Sequence, residues 1–190
     1  MAKTNNIVGR SGSALLALLM IALLVGGCGS EATGADAASA GGNTANKVAP
    51  RVGYIAPDFA LPDLDGKPIR LNDFRGQPVF INFWTTWCKA CKEEMPFIEA
   101  AWKDHQQHGV AILGVDVQES PDTVKNFVTQ GGYDWTFLLD SGGEVYSNQY
   151  NGNAFPTSVF IDTEGVIRGI RIGGMTRDII ESRLNLIKNW

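Results

Sequence analysis

The residues best suited to chemistry in this sequence are two cysteines, Cys88 and Cys91, separated by two residues. Two thiols at this spacing can form a reversible disulfide, because a cysteine thiolate is the nucleophile of disulfide exchange. The same spacing is half of many zinc sites, which need four protein ligands. The only histidines, His105 and His108, lie more than about three helical turns further along the chain. We therefore favour a redox pair over a metal site.

The segments on either side of the pair predict where it lies in the fold. An almost unbroken apolar run from Val79 to Trp84 predicts a strand that is buried on both faces. After the pair, apolar residues recur at helical spacing on one stripe: Cys91, Met95, Ile98 and Trp102. Cys88 is thus expected at a helix N-terminus, where free N–H groups and the helix dipole favour a thiolate. We predict that Cys88 attacks and that Cys91 resolves the mixed disulfide.

A carboxylate, Glu94, follows Cys91 by three residues on the same helix. On a helical wheel it lies roughly 60° from the centre of the apolar stripe, whereas Glu93 points away at roughly 180°. A partly buried carboxylate has a raised pKa and can accept the proton that Cys91 must lose before it attacks. We predict this role for Glu94, and the alternative is an acid that complements the helix dipole.

The rest of the chain predicts an α/β fold in which helices flank a mixed sheet. An Asp-Gly turn at 63–66 predicts an N-terminal β-hairpin, and Ser120-Pro121 predicts a helix start. Further predicted strands are 110–117, 135–139, 157–162 and 166–172, and further helical segments are one turn near 72–76, a short helix at 144–150 and a final helix capped by Thr176.

The N-terminal residues are typical of a targeting signal. Lys3 and Arg10 precede a leucine-rich apolar run from Ala14 to Val25, which is short for a membrane-spanning helix. The run ends in Val25-Gly26-Gly27-Cys28, which resembles a bacterial lipobox, the motif whose cysteine is lipidated. We expect residues 1–28 to be a lipoprotein signal peptide ending at Cys28. The alternatives, an uncleaved anchor or an ordinary cleaved signal, also place the domain outside the cytoplasm.

Composition separates a linker from the domain. Residues 29–50 are rich in Gly, Ala, Ser, Thr and Asn, so they are expected to be a flexible linker to a domain at 51–190. The formal net charge is −4, with no basic cluster. This balance argues against nucleic acid as a partner.

With these elements placed, the chain resembles the membrane-tethered, thioredoxin-like thiol-disulfide oxidoreductases of the TlpA/ResA type. The resemblance covers about Val52 to Lys188 and rests on the segments 82–91, 94–96 and 155–158. It implies a thioredoxin-like mixed sheet with an inserted strand–helix element around 120–150. It also implies a cis bond before Pro156, with this proline facing the disulfide. Asn82 stands where classical thioredoxins have a buried aspartate, and we expect it to be hydrogen-bonded within the sheet.

The resemblance also assigns roles around the cysteines. The residues expected to bind substrate are Trp87, Phe155, Pro156 and Thr157. Lys89 and Ala90 lie between the cysteines and are expected to tune the reduction potential, Lys89 by favouring the thiolate of Cys88. Neither a metal nor a cofactor other than the Cys88–Cys91 disulfide is expected.

The function that the resemblance implies is exchange of this disulfide with protein substrates, as a reductant in cytochrome c maturation. The expected partners are protein dithiols or disulfides such as apocytochrome c, and a membrane thiol donor. We expect a monomer held by a lipid on Cys28, in the periplasm or on the outer face of the cell membrane.

Two other functions use related folds. A thiol peroxidase fits Ala56-Pro57-Asp58-Phe59, but its Pro-x-x-x-Thr-x-x-Cys motif has Ile81 in place of proline. A copper metallochaperone pairs Cys-x-x-x-Cys with a distal histidine. Here the spacing is one residue shorter and no histidine follows His108. Two close thiols nevertheless suit Cu(I), so both alternatives are kept.

Overall fold

The computed structural model describes residues 47–188. The predicted signal peptide, the lipidation site Cys28 and most of the predicted linker lie outside these residues. The strands are β1 (Ala60–Pro62), β2 (Pro68–Arg70), β3 (Val79–Trp84), β4 (Ala111–Val117), β5 (Thr136–Asp140), β6 (Thr157–Ile161) and β7 (Ile167–Ile172). The α-helices are α1 (Lys89–His105), α2 (Pro121–Gly131) and α3 (Arg177–Leu184). Among these residues, none of the helices is both long and apolar enough to cross a membrane.

The main sheet has five strands in the order β5-β4-β3-β6-β7. β3 is central: it pairs parallel to β4 and antiparallel to β6, and all six of its residues are buried. This burial agrees with its continuous apolar sequence. β4 pairs parallel to β5, and β6 antiparallel to β7. The predicted mixed α/β sheet is confirmed.

The two faces of β3 contribute to two hydrophobic clusters. Phe80 and Trp84 pack with side chains of all three α-helices. Ile81 and Phe83 pack on the other face with Tyr146 and with side chains of the N-terminal segment, residues 47–61. Successive side chains of a strand point to opposite faces, so one apolar run supplies both clusters. The central strand is thereby held in place from both sides.

The predicted N-terminal hairpin is present as the separate two-stranded sheet β1-β2. The Oδ1 atom of Asp63 accepts hydrogen bonds from the N–H groups of Asp65 and Lys67, and Gly66 has a φ of +82°. An aspartate at the start of a turn and a glycine at positive φ explain why this sequence reverses the chain.

The helices α2 and α3 begin where the sequence predicts, but only α2 has the predicted side-chain cap. The Ser120 hydroxyl accepts a hydrogen bond from the N–H of Thr123 at the start of α2, as an N-cap does. Thr176 occupies the N-cap position of α3 but makes no side-chain cap hydrogen bond. The predicted short helix near 144–150 is a π-helical turn, Val145–Gln149, and the predicted turn near 72–76 is a 3-10 helix, Leu71–Phe74.

Candidate active site

Cys88 and Cys91 form a disulfide at the junction of β3 and α1. Cys88 is the N-cap residue of α1, and its Sγ atom accepts a hydrogen bond of 3.1 Å from the N–H of Cys91. Its own N–H donates to the carbonyl of Thr85. The chain enters the helix here because Thr85 and Thr86 end the apolar run of β3. The first N–H groups of a helix have no backbone acceptor within the helix. The N–H of Cys91 is one of these, and its hydrogen bond to Sγ stabilises a thiolate on Cys88 in the reduced protein.

Cys88 and Cys91 differ in their access to solvent. The side chain of Cys88 is 7% exposed, whereas that of Cys91 is fully buried. Cys88 therefore retains a route to a partner disulfide. This asymmetry supports the predicted roles, with Cys88 as the attacking cysteine and Cys91 as the resolving one.

Glu94 lies on α1 three residues after Cys91 and is 1% exposed, so it is more completely buried than its position on the helical wheel indicates. Its two carboxylate oxygens accept hydrogen bonds from the side chain of Asn82 on β3 (2.8 Å) and from the N–H of Met175 (2.9 Å). Met175 belongs to the β7–α3 loop. This loop covers Glu94. A helical wheel of α1 considers only residues of α1, so it could not predict burial by this loop.

The pKa of Glu94 is raised from 4.5 to about 7. Burial is the main cause, and it outweighs the hydrogen bonds from Asn82 and Met175 and the charge of Arg171, which act in the opposite direction. The predicted raised pKa is confirmed. A carboxyl group that titrates near neutral pH can both accept and return a proton under physiological conditions.

Asn82 links Glu94 to the sheet. Its side-chain amide donates to Glu94 and also to the hydroxyl of Ser158 on β6, at 3.1 Å. The prediction of a hydrogen-bonded polar residue within the sheet is confirmed. Its coupling to Glu94 comes from the packing of α1 on β3, which brings together residues that are twelve positions apart.

The predicted substrate-binding residues gather beside the cysteines. Trp87 is 68% exposed, and its ring meets that of Phe155 edge-on with centroids 5.8 Å apart. The Phe155–Pro156 bond is cis, as predicted. Thr157 is paired with Phe83 near the end of β3, which places the start of β6 beside the turn that leads to Cys88. Substrate binding itself stays a prediction.

The two residues between the cysteines lie toward solvent. The side chain of Lys89 is 88% exposed and makes an ion pair of 3.6 Å with Glu93 on the next turn of α1. Ala90 is half-buried beside Gly174. The charge of Lys89 is screened by water and shared with Glu93, so its effect on Cys88 is weaker than its sequence position indicates.

Two acidic residues near the site were missed by sequence reasoning. The carboxylate of Glu119 accepts hydrogen bonds from the N–H and the hydroxyl of Thr86, two residues before Cys88. Asp116 lies on β4 and is 1% exposed. An aspartate inside the apolar run 110–117 was the signal that could have identified it.

Within residues 47–188, no group of three or more His, Cys, Asp and Glu side chains is arranged to hold a metal ion. His105 is the last residue of α1, far from the cysteines, and its ring contacts Glu181 and Lys188. The described site therefore offers two thiols, a buried base and a flanking aromatic pair. These groups suit disulfide exchange.

Known proteins with similar sequences include thiol-disulfide oxidoreductases. The model of the AhpC/TSA family matches residues 52–170. The thiol-disulfide oxidoreductase ResA of Geobacillus kaustophilus is 42% identical over 142 residues, which cover 75% of this chain and 81% of the relative. ResA of Bacillus subtilis strain 168 is 39% identical over 136 residues, covering 72% of this chain and 75% of the relative.

Two solved structures superpose on this chain and have the same fold. A thioredoxin-family thiol:disulfide interchange protein from Chlorobium tepidum superposes with a TM-score of 0.62 at 25% identity, covering 70% of this chain and 94% of its own. StoA from Bacillus subtilis superposes with a TM-score of 0.58 at 26% identity, covering 66% of this chain and 95% of its own.

Proposed function

The chain belongs to the AhpC/TSA family and is a thioredoxin-like thiol-disulfide oxidoreductase of the ResA type, and from this premise we propose that it is a membrane-anchored reductant of apocytochrome c. The thiol-disulfide exchange chemistry is that of the ResA relatives. The direction of electron flow, the substrate and the anchor are the proposal.

The observation that best supports disulfide exchange at this site is the buried Glu94, which follows Cys91 by three residues on α1 and can move the proton of Cys91. As a reductant, the Cys88 thiolate attacks a substrate disulfide and forms a mixed disulfide. Cys91 then loses its proton to Glu94 and attacks the Sγ atom of Cys88. The substrate takes up two electrons from the cysteine pair and two protons, one returned by Glu94 and one from solvent, and leaves as a dithiol. Cys88 and Cys91 are then joined as a disulfide. A membrane thiol donor then reduces the pair again.

Unfolded apocytochrome c suits the surface around Cys88. Trp87 and Phe155 form an apolar, partly exposed rim, and Phe97 on α1 is 39% exposed. Exposed aromatic groups beside a reactive thiol can bind an extended chain whose cysteines are accessible. A folded protein with buried cysteines cannot present them in this way.

The anchor is proposed from the sequence of residues 1–28, in which Cys28 closes a lipobox-like motif. A lipid on Cys28 would hold the domain at the periplasmic or outer face of the cell membrane, near a membrane thiol donor. We propose a monomer there, and Cys28→Ser should move the protein from the membrane fraction to the soluble fraction.

Deletion of the gene in the organism that encodes this protein tests the physiological function. The expected result is loss of haem-stained c-type cytochromes, with restoration by the wild-type gene but not by a Cys88→Ser gene. A thiol reductant added to the medium should also restore them, because it replaces the missing electrons. Normal c-type cytochromes in the deletion strain would contradict the proposal while leaving the exchange activity intact.

Two assays on the purified protein address the alternatives. Consumption of hydrogen peroxide by the reduced protein, at a rate matching its disulfide exchange, would favour a thiol peroxidase. Tight Cu(I) binding that is lost in Cys88→Ser would favour a copper metallochaperone.

A further inference from the structure

A second buried carboxyl group lies on the same face of the sheet as Glu94. Asp116 is the register partner of Trp84 on the neighbouring strand, so both side chains point to the face that α1 and α2 cover. Asp116 is 1% exposed, and neither of its carboxylate oxygens makes a hydrogen bond of good geometry among the described residues. A buried ionised carboxylate without partners is costly, so a proton on Asp116 is favoured.

Glu119 follows Asp116 by three residues, and its side chain and backbone N–H both interact with the Asp116 carboxyl group. Glu119 is half-buried and is bound to the active-site turn. Glu119 accepts hydrogen bonds from the N–H of Thr86 at 2.5 Å and from its hydroxyl at 2.6 Å. The turn continues through the hydrogen bond from the N–H of Cys88 to the carbonyl of Thr85. The position of Glu119 is therefore transmitted to Cys88 over two residues of backbone.

The charged groups that shift the pKa of Asp116 are acidic. Its pKa is raised to about 8, chiefly by burial and further by the carboxyl group of Glu119, with a smaller contribution from Asp140 on β5, while a hydrogen bond from the backbone N–H of Glu119 acts in the opposite direction. Asp140 accepts a hydrogen bond from the N–H of Tyr146. On α1, Glu94 faces the same side of the sheet and is bound to Asn82. None of the groups that shift the pKa of Asp116 is a cation.

Two adjacent carboxyl groups, of which at least one is buried, are stable when they share one proton, because the protonated group can donate a hydrogen bond to the ionised one. We propose that Asp116 and Glu119 form a proton-sharing carboxyl pair that positions the Thr85–Trp87 turn, and with it Cys88, for thiol-disulfide exchange. Both are positioning residues, since they act through Thr86 rather than on the sulfur atoms.

The pair makes the geometry of the turn depend on pH. When Asp116 is protonated, it holds Glu119 against Thr86. When Asp116 loses its proton, its buried negative charge repels that of the half-buried Glu119, and Glu119 weakens its hold on Thr86. The added charge also disfavours the thiolate of Cys88. Exchange should then be slower than in a protein whose residue 116 stays neutral.

Asp116→Asn provides the test, because asparagine keeps the shape of a protonated aspartate and cannot ionise. We would measure the rate at which the reduced protein reduces 5,5′-dithiobis(2-nitrobenzoate) from pH 6 to 9.5. The ratio of the variant rate to the wild-type rate should be near one at pH 6 to 7 and rise to about threefold above pH 9, where Asp116 of the wild type is ionised and Glu119 no longer holds the turn. A ratio that does not change with pH would overturn the proposal. This probe needs no protein partner, so the result is independent of the role in cytochrome c maturation.

Two further variants separate positioning from general stability. Thr86→Val removes the hydroxyl that Glu119 binds and should slow exchange at every pH. Ser120→Ala alters the neighbouring helix cap and should leave the pH dependence of exchange as in the wild type.

Infrared spectroscopy at pH 6 to 7 tests the proton directly. The wild type should show the carbonyl band of a buried protonated carboxyl group that Asp116→Asn removes and Glu94→Gln retains. An unchanged band in Asp116→Asn would contradict the shared proton.

Discussion

At the scale of single residues, the exchange chemistry rests on the difference between two cysteines that are three residues apart. Cys88 lies at the N-terminus of α1 with its Sγ atom on a helix N–H, and Cys91 is fully buried one turn deeper. A partner disulfide can therefore reach the first sulfur, and only an internal attack can use the second.

Cys91→Ser should trap a covalent mixed disulfide between Cys88 and substrate, because no resolving thiol remains. Incubation with an oxidised peptide that contains Cys-x-x-Cys-His, followed by non-reducing mass spectrometry, should detect this adduct. Cys88→Ser is the matched control and should form none. An adduct of equal yield in both variants would show that the roles of the cysteines are not distinct.

Glu94→Gln should slow resolution of the mixed disulfide about tenfold or more, in the range typical of a lost general base. The wild-type rate of this step should rise as pH increases through about 7, where Glu94 ionises. The variant should lack this rise, which stopped-flow measurement from pH 5 to 9 can detect. Equal rates across this range would leave Glu94 a purely structural role.

Glu94 should also make the stability of the protein depend on pH. Its pKa is raised from 4.5 to about 7 in the folded state, so the unfolded chain releases this proton first as pH rises. The free energy of unfolding should fall between pH 4.5 and 7, by about 3 kcal/mol for a shift of this size. Urea unfolding of Glu94→Gln should lack this part of the decrease. Glu93→Gln, at an exposed position on the same helix, should behave as the wild type.

At the scale of secondary-structure elements, the starts of the helices determine where the functional groups lie. α1 begins with Cys88 as its N-cap, so the nucleophile takes the place that a serine or an aspartate usually occupies. α2 begins with Ser120, directly after Glu119, which binds the turn before Cys88. Two helix starts thus converge on one segment, Thr85 to Cys88.

Ser120→Ala should destabilise the protein by about 1 kcal/mol, because the N–H of Thr123 loses its cap. Thr176→Ala is a matched control at the start of α3, where the side chain makes no cap hydrogen bond. It should change the urea midpoint by much less. Equal losses for the two variants would mean that the cap of α2 is not the cause.

At the scale of the whole molecule, the sheet joins distant parts of the chain around one strand. Residues of α1 pack on one face of β3, and the N-terminal segment packs on the other. The backbone of that segment also pairs with β7, through hydrogen bonds of Gly53 and Tyr54 to Ile167. Within residues 47–188, the first backbone hydrogen bond along the chain is the one that the carbonyl of Lys47 accepts from the N–H of Ile55.

A protein that starts at Lys47 should therefore keep the exchange rate and the urea midpoint of the full chain. A protein that starts at Ala56 loses both hydrogen bonds to Ile167, worth about 1 kcal/mol each, and should be less stable by at least about 2 kcal/mol. If the two truncated proteins unfolded at the same urea concentration, the segment would contribute nothing to the fold.

The amino-acid sequence alone was sufficient for features set by neighbours along the chain. The apolar run 79–84 predicted the central strand, and Ser120-Pro121 predicted the start of α2. The spacing of Cys88, Cys91 and Glu94 predicted the redox pair and its candidate base. These features depend on strand and helix periodicity and on local hydrogen bonds, which a short segment contains in full.

Only the tertiary structure decided which distant residues meet. The β7–α3 loop buries Glu94 through Met175, and the packing of α1 on β3 joins Glu94 to Asn82. Glu119 reaches Thr86 from the end of β4, across thirty-three positions of sequence. Burial and hydrogen-bonding of this kind set the pKa of a carboxyl group, and they arise from the order of strands in the sheet. The sequence therefore determined which groups could react, and the packing of the sheet determined their protonation.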